Sequence, residues 1–265
     1  SKPFETDKPP HAETMKMNRF TMTLLLTISC SGIASASQTI EPSEILKVVD
    51  AHRGLNGDYS NRMKIEVYED KKLSSTTNYQ MWVGREDQER KVLLRYLSPA
   101  QERNNLVLFR DNKMWVYNQK TSRPIPVSAS QRLSGSASIG DTVNIELQKY
   151  YDATIEPEEK KGQIKLSLKA SNSRALYKQV ELTVHAKTYA PIHARFFTKS
   201  GKLLKTAHYR SYRKIGRQEV CSEIIIEDAL RPKSLTRTLF SSFDSSELPT
   251  AYFDKNYLPK VNFEN

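Results

Sequence analysis

The sequence predicts a mainly β fold: one strongly curved antiparallel sheet of about ten or eleven strands, a half-open barrel under a helical lid. Three observations carry this expectation. Segments that alternate apolar and polar residues recur along the chain, the links between them are short and polar, and only one stretch has clear helical periodicity. Short links force antiparallel neighbours, because a parallel crossover needs about a dozen residues. A sheet of that length curls, and one helix cannot cover both of its faces. The concave face is therefore expected to carry bulky apolar side chains, a shape suited to holding something greasy.

The elements follow in order. Residues 1–14 (SKPFETDKPPHAET) are polar and hold three prolines, which reads as an upstream tail without fixed structure. Residues 15–36 combine Lys16 and Arg19, the apolar run TMTLLLTISCSGI and the small-x-small site Ala34-Ser35-Ala36. These are the three parts of a secretory signal peptide, and the run is shorter than the roughly 20 residues a spanning helix needs. Cleavage is expected near Ala36, so the mature domain covers 37–265. A lipid anchor at Cys30 is the less favoured alternative, since Thr27 is a poor residue three places before a lipidated cysteine. Cleavage leaves Cys221 without a disulfide partner.

EPSEILKVVDAHRG (41–54) reads as the helix, with Pro42 in its first turn, Gly54 as its stop and Ile45, Leu46, Val48 and Val49 as its apolar stripe. Strands follow in RMKIEVYE, TNYQMWVG, RKVLLRYL, NLVLFR and MWVYN. After position 160 come IKLSLKA, YKQVELTVH, IHARFFT, LLKTAHYRSY, EVCSEIIIED and LTRTLFSSF. Alternation groups Met63, Ile65 and Val67, then Tyr79, Met81 and Val83, then Val92, Leu94 and Tyr96. A short second helix is expected around NIELQKYY (144–151). RPIPVSASQRLSGSASIGD (123–141), with two prolines and two glycines, reads as a long mobile loop, either a lid or docking site or a solvated insertion.

Composition sets the bounds. With 265 residues, 27% charged and 38% hydrophobic, global disorder, a disulfide scaffold and a polytopic membrane protein are excluded. The net charge is +11; removal of 1–36 leaves 37 basic against 27 acidic residues, or +10. Such a surplus favours anionic partners. Lys160, Lys161, Lys199, Lys202, Lys205, Arg210, Arg213 and Lys214 concentrate it in the C-terminal half, towards an anionic membrane surface or an acidic protein face. Export argues against nucleic acid, although Arg and aromatic residues interleave. No G-x-S-x-G, Cys–His pairing, phosphate loop or zinc pattern occurs, so neither an enzyme, a metal nor a cofactor is expected. His193 and His208 are placed to meet across a hairpin, which reads as structural.

One further observation concerns motif order. Leu97-Ser98-Pro99, Trp115-Val116-Tyr117, Arg123-x-Ile125, Gln131-Arg132 and Gly140-Asp141 follow one another across 96–141. APIHARFFTKSGKLLKTAHYRSY and the ending ELPTAYFDKNYL come later. In this order they resemble the LolA-like outer-membrane lipoprotein-sorting family. The resemblance implies a periplasmic carrier that sequesters the acyl chains of a lipoprotein or lipid, with an inner-membrane exporter of the resistance-nodulation type as a further partner. Met81, Val83, Leu94, Tyr96, Trp115, Tyr117 and Phe197 are then candidates for the cavity wall, with plain core filling as the competing reading. Arg132 is placed by the mouth and Asp141 is expected to order the loop. The second functional reading is a non-carrying accessory or sensor module that uses the same fold to bind an exporter or envelope protein.

Overall fold

The computed structural model describes residues 40–261 apart from 87–88, 111–112, 129–131, 136, 139–140, 142–145 and 158. The tail, the signal segment with Cys30 and Ala36, and the start at Ser37 lie outside the described residues. What is described belongs to one unit, Ile40–Asn265.

Helix α1 (Pro42–His52) opens it, with Pro42 in the first turn and Glu44 near the positive end of the helix dipole. Ile45, Leu46 and Val49 are fully buried. Each contributes about 1.5–3 kcal/mol of apolar burial, which fixes the helix against the sheet. The sheet begins with β1 (Tyr59–Glu69), β2 (Lys72–Glu86), β3 (Glu89–Ser98), β4 (Leu106–Arg110), β5 (Lys113–Tyr117) and β6 (Ile125–Val127). A two-stranded hairpin, β7 (Arg132–Ser134) and β8 (Ala137–Ser138), stands apart from it. After the one-turn helix α2 (Leu147–Tyr150) come β9 (Tyr151–Ile155), β10 (Gln163–Ala170), β11 (Gln179–His185) and β12 (Pro191–Phe197). The long strands β13 (Leu203–Ile215), β14 (Gln218–Asp228) and β15 (Ser234–Asp244) complete the set.

The main sheet has 13 strands in the order β6-β5-β4-β3-β2-β1-β15-β14-β13-β12-β11-β10-β9, every pair antiparallel. Among the described residues the two end strands, β6 and β9, are not paired with each other, so the sheet is curled but unclosed. Its two edges are blunted differently. Strand β6 is three residues long and carries Pro126, which has no amide proton to offer another strand. Strand β9 lies against α1 and α2.

All eleven alternating segments form strands; β6, β7, β8 and β9 are additions to them. Proline masked β6, and β7 and β8 are too short for alternation to register. Strand β9 begins at Tyr151, the last residue of the helix expected around 144–151, and among the described residues of that range Leu147–Tyr150 is helical. The stretch 123–141, expected as a long loop, is partly regular among its described residues. It contributes an edge strand and a hairpin, and its Ala137 and Asp141 are buried.

Candidate functional site

The register sorts the aromatic and aliphatic residues onto two faces. On the concave face Met81 lies opposite Leu94, Val83 opposite Val92 and Tyr79 opposite Tyr96, with the Tyr79 and Tyr96 rings 4.6 Å apart. Leu94 continues to Val107, and Val92 to Phe109 and then Met114. Across the sheet the same face carries Ile224, Ile226, Ala207, Ala194, Leu182 and Leu166. Met81, Val83 and Leu94 are buried in this continuous interior, and half-buried Tyr96 packs against it.

Trp115 and Tyr117 lie on the opposite, convex face. Trp115 pairs with Leu108, Tyr117 with Leu106, and Leu108 with Leu93. The C-terminal segment covers this row: Phe253 and Leu258 are buried against it, and Tyr252 meets Trp82 edge-on at 5.6 Å. Lys255 Nζ sits 5.8 Å from the centre of the Trp115 ring. Gly84 permits the cover, because a Cβ there would come within 2.5 Å of the Phe253 ring. Phe196 shares the inward face of Ala194 and meets the Tyr177 ring at 4.6 Å, while Phe197 shares the face of Arg195 and packs under its guanidinium at 5.1 Å. The seven residues expected to form one wall are therefore divided. Met81, Val83, Leu94 and Tyr96 share the concave surface; Trp115, Tyr117 and Phe197 are not in it.

The hairpin of β7 and β8 enters the concavity. Gly135, at φ +55°, turns so close to the sheet that a Cβ would stand 2.5 Å from Thr236 Oγ1 and 2.8 Å from a Val67 methyl. Only glycine combines that backbone conformation with that approach. Ala137 is fully enclosed. Arg132 pairs through its backbone with Ser138 in this hairpin, and its side chain lies outside the described part. Asp141 ends the segment with its carboxylate inside the fold: the Tyr177 hydroxyl donates at 2.5 Å and Lys205 Nζ donates at 2.7 Å. Arg53, just past α1, donates to the Asp141 carbonyl at 3.4 Å. A carboxylate this buried is tolerable because an ammonium and a hydroxyl meet it.

Two helices are tied to the same region. The Asp50 carboxylate accepts the Leu147 and Gln148 amides at 3.0 and 2.9 Å, capping α2 from the adjacent α1. Burial pushes its pKa up to about 6, against the opposing pull of the Arg53 charge. His52 bridges the Glu219 and Thr188 carbonyls at 2.9 and 3.1 Å, which pins α1 to the turns at the far end of the sheet.

The remaining titratable candidates are structural. His193 and His208 are register partners with rings 6.3 Å apart, and His193 faces the Thr183 hydroxyl at 3.2 Å. Among the described residues no group of three or more His, Cys, Asp or Glu is placed to hold a metal ion. The Cys221 thiol is buried, and burial lifts its pKa to about 11. Of the basic residues, Lys205 is turned largely inward, where Asp141 meets its ammonium. The others divide between the two ends of the strands, since β13 separates Lys199 and Lys202 from Arg213 and Lys214 by its whole length. Tyr177, Lys205 and Arg53 are the residues sequence reasoning missed. For Lys205 a signal existed: it shares the inward parity of Ala207 and Tyr209.

Comparisons with known proteins agree with this architecture. A family model described as that of an uncharacterized protein matches residues 88–260. Among curated proteins none matches the chain. The chain is similar to a crystal structure of a LolA superfamily protein from Nitrosomonas europaea, at 25% identity and TM-score 0.74, over 82% of this chain and 99% of that one. It is similar in fold to a DUF1329 family protein from Desulfovibrio piger, at 18% identity and TM-score 0.72, over 82% and 97% of the two chains. A domain from Vibrio parahaemolyticus ascribed to outer membrane lipoprotein sorting shares the fold at 17% identity and TM-score 0.68, over 82% and 97%.

Proposed function

This chain belongs to the LolA-like superfamily, and from that premise we propose that it is an exported carrier. It sequesters the acyl chains of a lipoprotein or lipid on its concave face and delivers them towards the outer membrane or an exporter, working in the periplasm. The observation that supports this reading is the way the concavity is filled. Its apolar wall of Met81, Val83, Leu94 and Tyr96 belongs to the sheet, whereas part of its filling is a separate hairpin whose attachments include the polar contacts of Asp141. Withdrawal of the hairpin exposes apolar wall without breaking a ladder of the main sheet.

The energetics favour such a sheath. An acyl chain in water costs roughly 0.8 kcal/mol per methylene, on the order of 12 kcal/mol for a 16-carbon chain. Transfer through an aqueous compartment therefore needs an apolar enclosure, and release needs an acceptor with a better one. Arg132 at the hairpin and Asp141 at its end take the roles of mouth and latch. Among the described residues no helix is long and apolar enough to cross a membrane.

A second reading is a non-carrying accessory or sensor that binds an exporter of the resistance-nodulation type or another envelope protein. It is favoured by the density of the interior, where Tyr59, Tyr79, Ile45 and Leu94 are already enclosed. Purification from the native envelope followed by solvent extraction and mass spectrometry separates the two. Stoichiometric acylated lipid is the expected result for the carrier. A lipid-free protein with a tightly bound protein partner supports the second reading instead.

A further inference from the structure

Three turns lie side by side at the end of the sheet nearest the hairpin. The β1–β2 turn meets the β14–β15 turn through the Asp70 amide, which donates to the Lys233 carbonyl at 3.0 Å, and through a 2.7 Å ion pair between the same two side chains. The β14–β15 turn meets the start of β13 through the Ala229 amide, which donates to the Leu204 carbonyl at 3.0 Å. Between them opens a groove of about 1020 Å³, whose walls include Tyr68, Leu203, Pro232 and Leu235.

Two large apolar side chains stand out here, Leu73 at the start of β2 and Leu230 in the β14–β15 turn. Leu73 is 56% exposed and Leu230 is 53% exposed, the two most exposed large hydrophobic residues among those described. Around them Lys71, Lys72, Lys199 and Lys202 are exposed as well. The acidic residues at this end each have a partner: Asp70 with Lys233, Asp228 with Arg231, Glu69 as acceptor for the Ser234 hydroxyl, and Glu227 in the groove wall with the His208 ring at 3.5 Å. Protruding leucines ringed by lysines offer a bilayer two things together, apolar tips for the acyl boundary and positive charge for anionic headgroups. An acidic protein face would use the lysines but gain little from isolated leucines.

We infer that this end of the sheet docks on an anionic bilayer surface, with Leu73 and Leu230 inserted and the lysines on the headgroups. The inference rests on the carrier reading and deepens it. Lys205, which holds the Asp141 latch, pairs in register with Asp228 at the base of the Leu230 turn, so the docked end is also the latched end of the concavity. Cargo would enter or leave where the protein touches the membrane.

Hydrogen–deuterium exchange of the full chain, with and without vesicles, tests it. Vesicles of phosphatidylcholine containing phosphatidylglycerol should slow exchange at 69–73 and 229–233, and pure phosphatidylcholine should not. The protection should fade as salt rises. Leu73→Ser with Leu230→Ser should abolish it, and Lys72→Glu with Lys202→Glu should weaken vesicle affinity at least fivefold for each residue changed. All four positions are exposed, so folding is spared. Unchanged exchange at both turns, equal protection by uncharged vesicles, or protection of the turns only by an acidic protein would each overturn the inference. Carriage has its own readout in extracted lipid, so docking without lipid, or lipid without docking, tells the two failures apart.

Discussion

Lys205 Nζ and Asp141 Oδ2 lie 2.7 Å apart inside the fold, joining β13 to the end of an inserted hairpin 64 positions earlier in the chain. The pair links a filling element to the sheet that surrounds it. Removal of one partner leaves the other charge buried without its counter-ion, which costs about 3–5 kcal/mol. Lys205→Met is therefore expected to lower stability by an amount in that range, measured by urea unfolding. Removal of both charges, by Lys205→Met with Asp141→Leu, should restore much of it. Tyr177→Phe keeps the ion pair and loses one hydrogen bond to a charged group, so about 1.5–3 kcal/mol is expected.

The Gly135 turn gives a prediction that separates packing from charge. Gly135→Val places a branched side chain against Thr236 and Val67 at a positive φ. The hairpin should lift away, with faster amide exchange around 132–138 and little change in the main sheet. On the carrier reading the same variant takes up a fluorescent fatty acid faster than the parent protein. A slower uptake would mean that the hairpin forms part of the cargo site.

On the convex face the expectation is opposite. Phe253 is 4% exposed against the Leu93–Leu108 row, so Phe253→Ala should cost about 3–5 kcal/mol. Trp115→Ala, under the same cover, should cost stability too. Neither is expected to change fatty-acid affinity once the protein is folded, because both residues face away from the concavity. A folded Trp115→Ala variant with lost affinity would move the cargo to the convex side.

Much of this division was legible beforehand. Alternation grouped Met63 with Ile65 in β1, Tyr79 with Met81 and Val83 in β2, and Val92 with Leu94 in β3, and short links made consecutive strands antiparallel. Alternation cannot carry a face across a turn, however. Trp115 shares its strand with Met114, and only the register through Leu108 decides which of the two looks inward. Within β12 alternation sets Phe197 with Arg195, opposite Ala194 and Phe196, but which of these two faces looks inward is decided only by the neighbouring strands. The inserted hairpin was hidden for another reason. Its glycine, serines and alanine suit close approach to a sheet as well as they suit a solvated loop, and only burial of Ala137 and Asp141 tells the two apart.

Asp50 supplies a pH signature. Its folded pKa, about 6, lies above the ordinary 3.8, so the folded state holds this proton more tightly than the unfolded state does. The stabilising share of this group is present at low pH and is lost as pH rises through about 6. Wild type should therefore gain on Asp50→Asn as pH falls from 7.5 to 4.5, read as the difference between their melting temperatures. An equal difference at both pH values would place the carboxylate in water rather than at the cap of α2.

Where an acyl chain lies is tested most directly by a photoactivatable fatty acid, cross-linked to the protein and mapped by peptide sequencing. The carrier reading predicts label on the concave residues Met81, Leu94 and Tyr96 and on the hairpin around Ala137. Label confined to Trp82, Trp115 and the C-terminal cover, or no label at saturating probe, would contradict it.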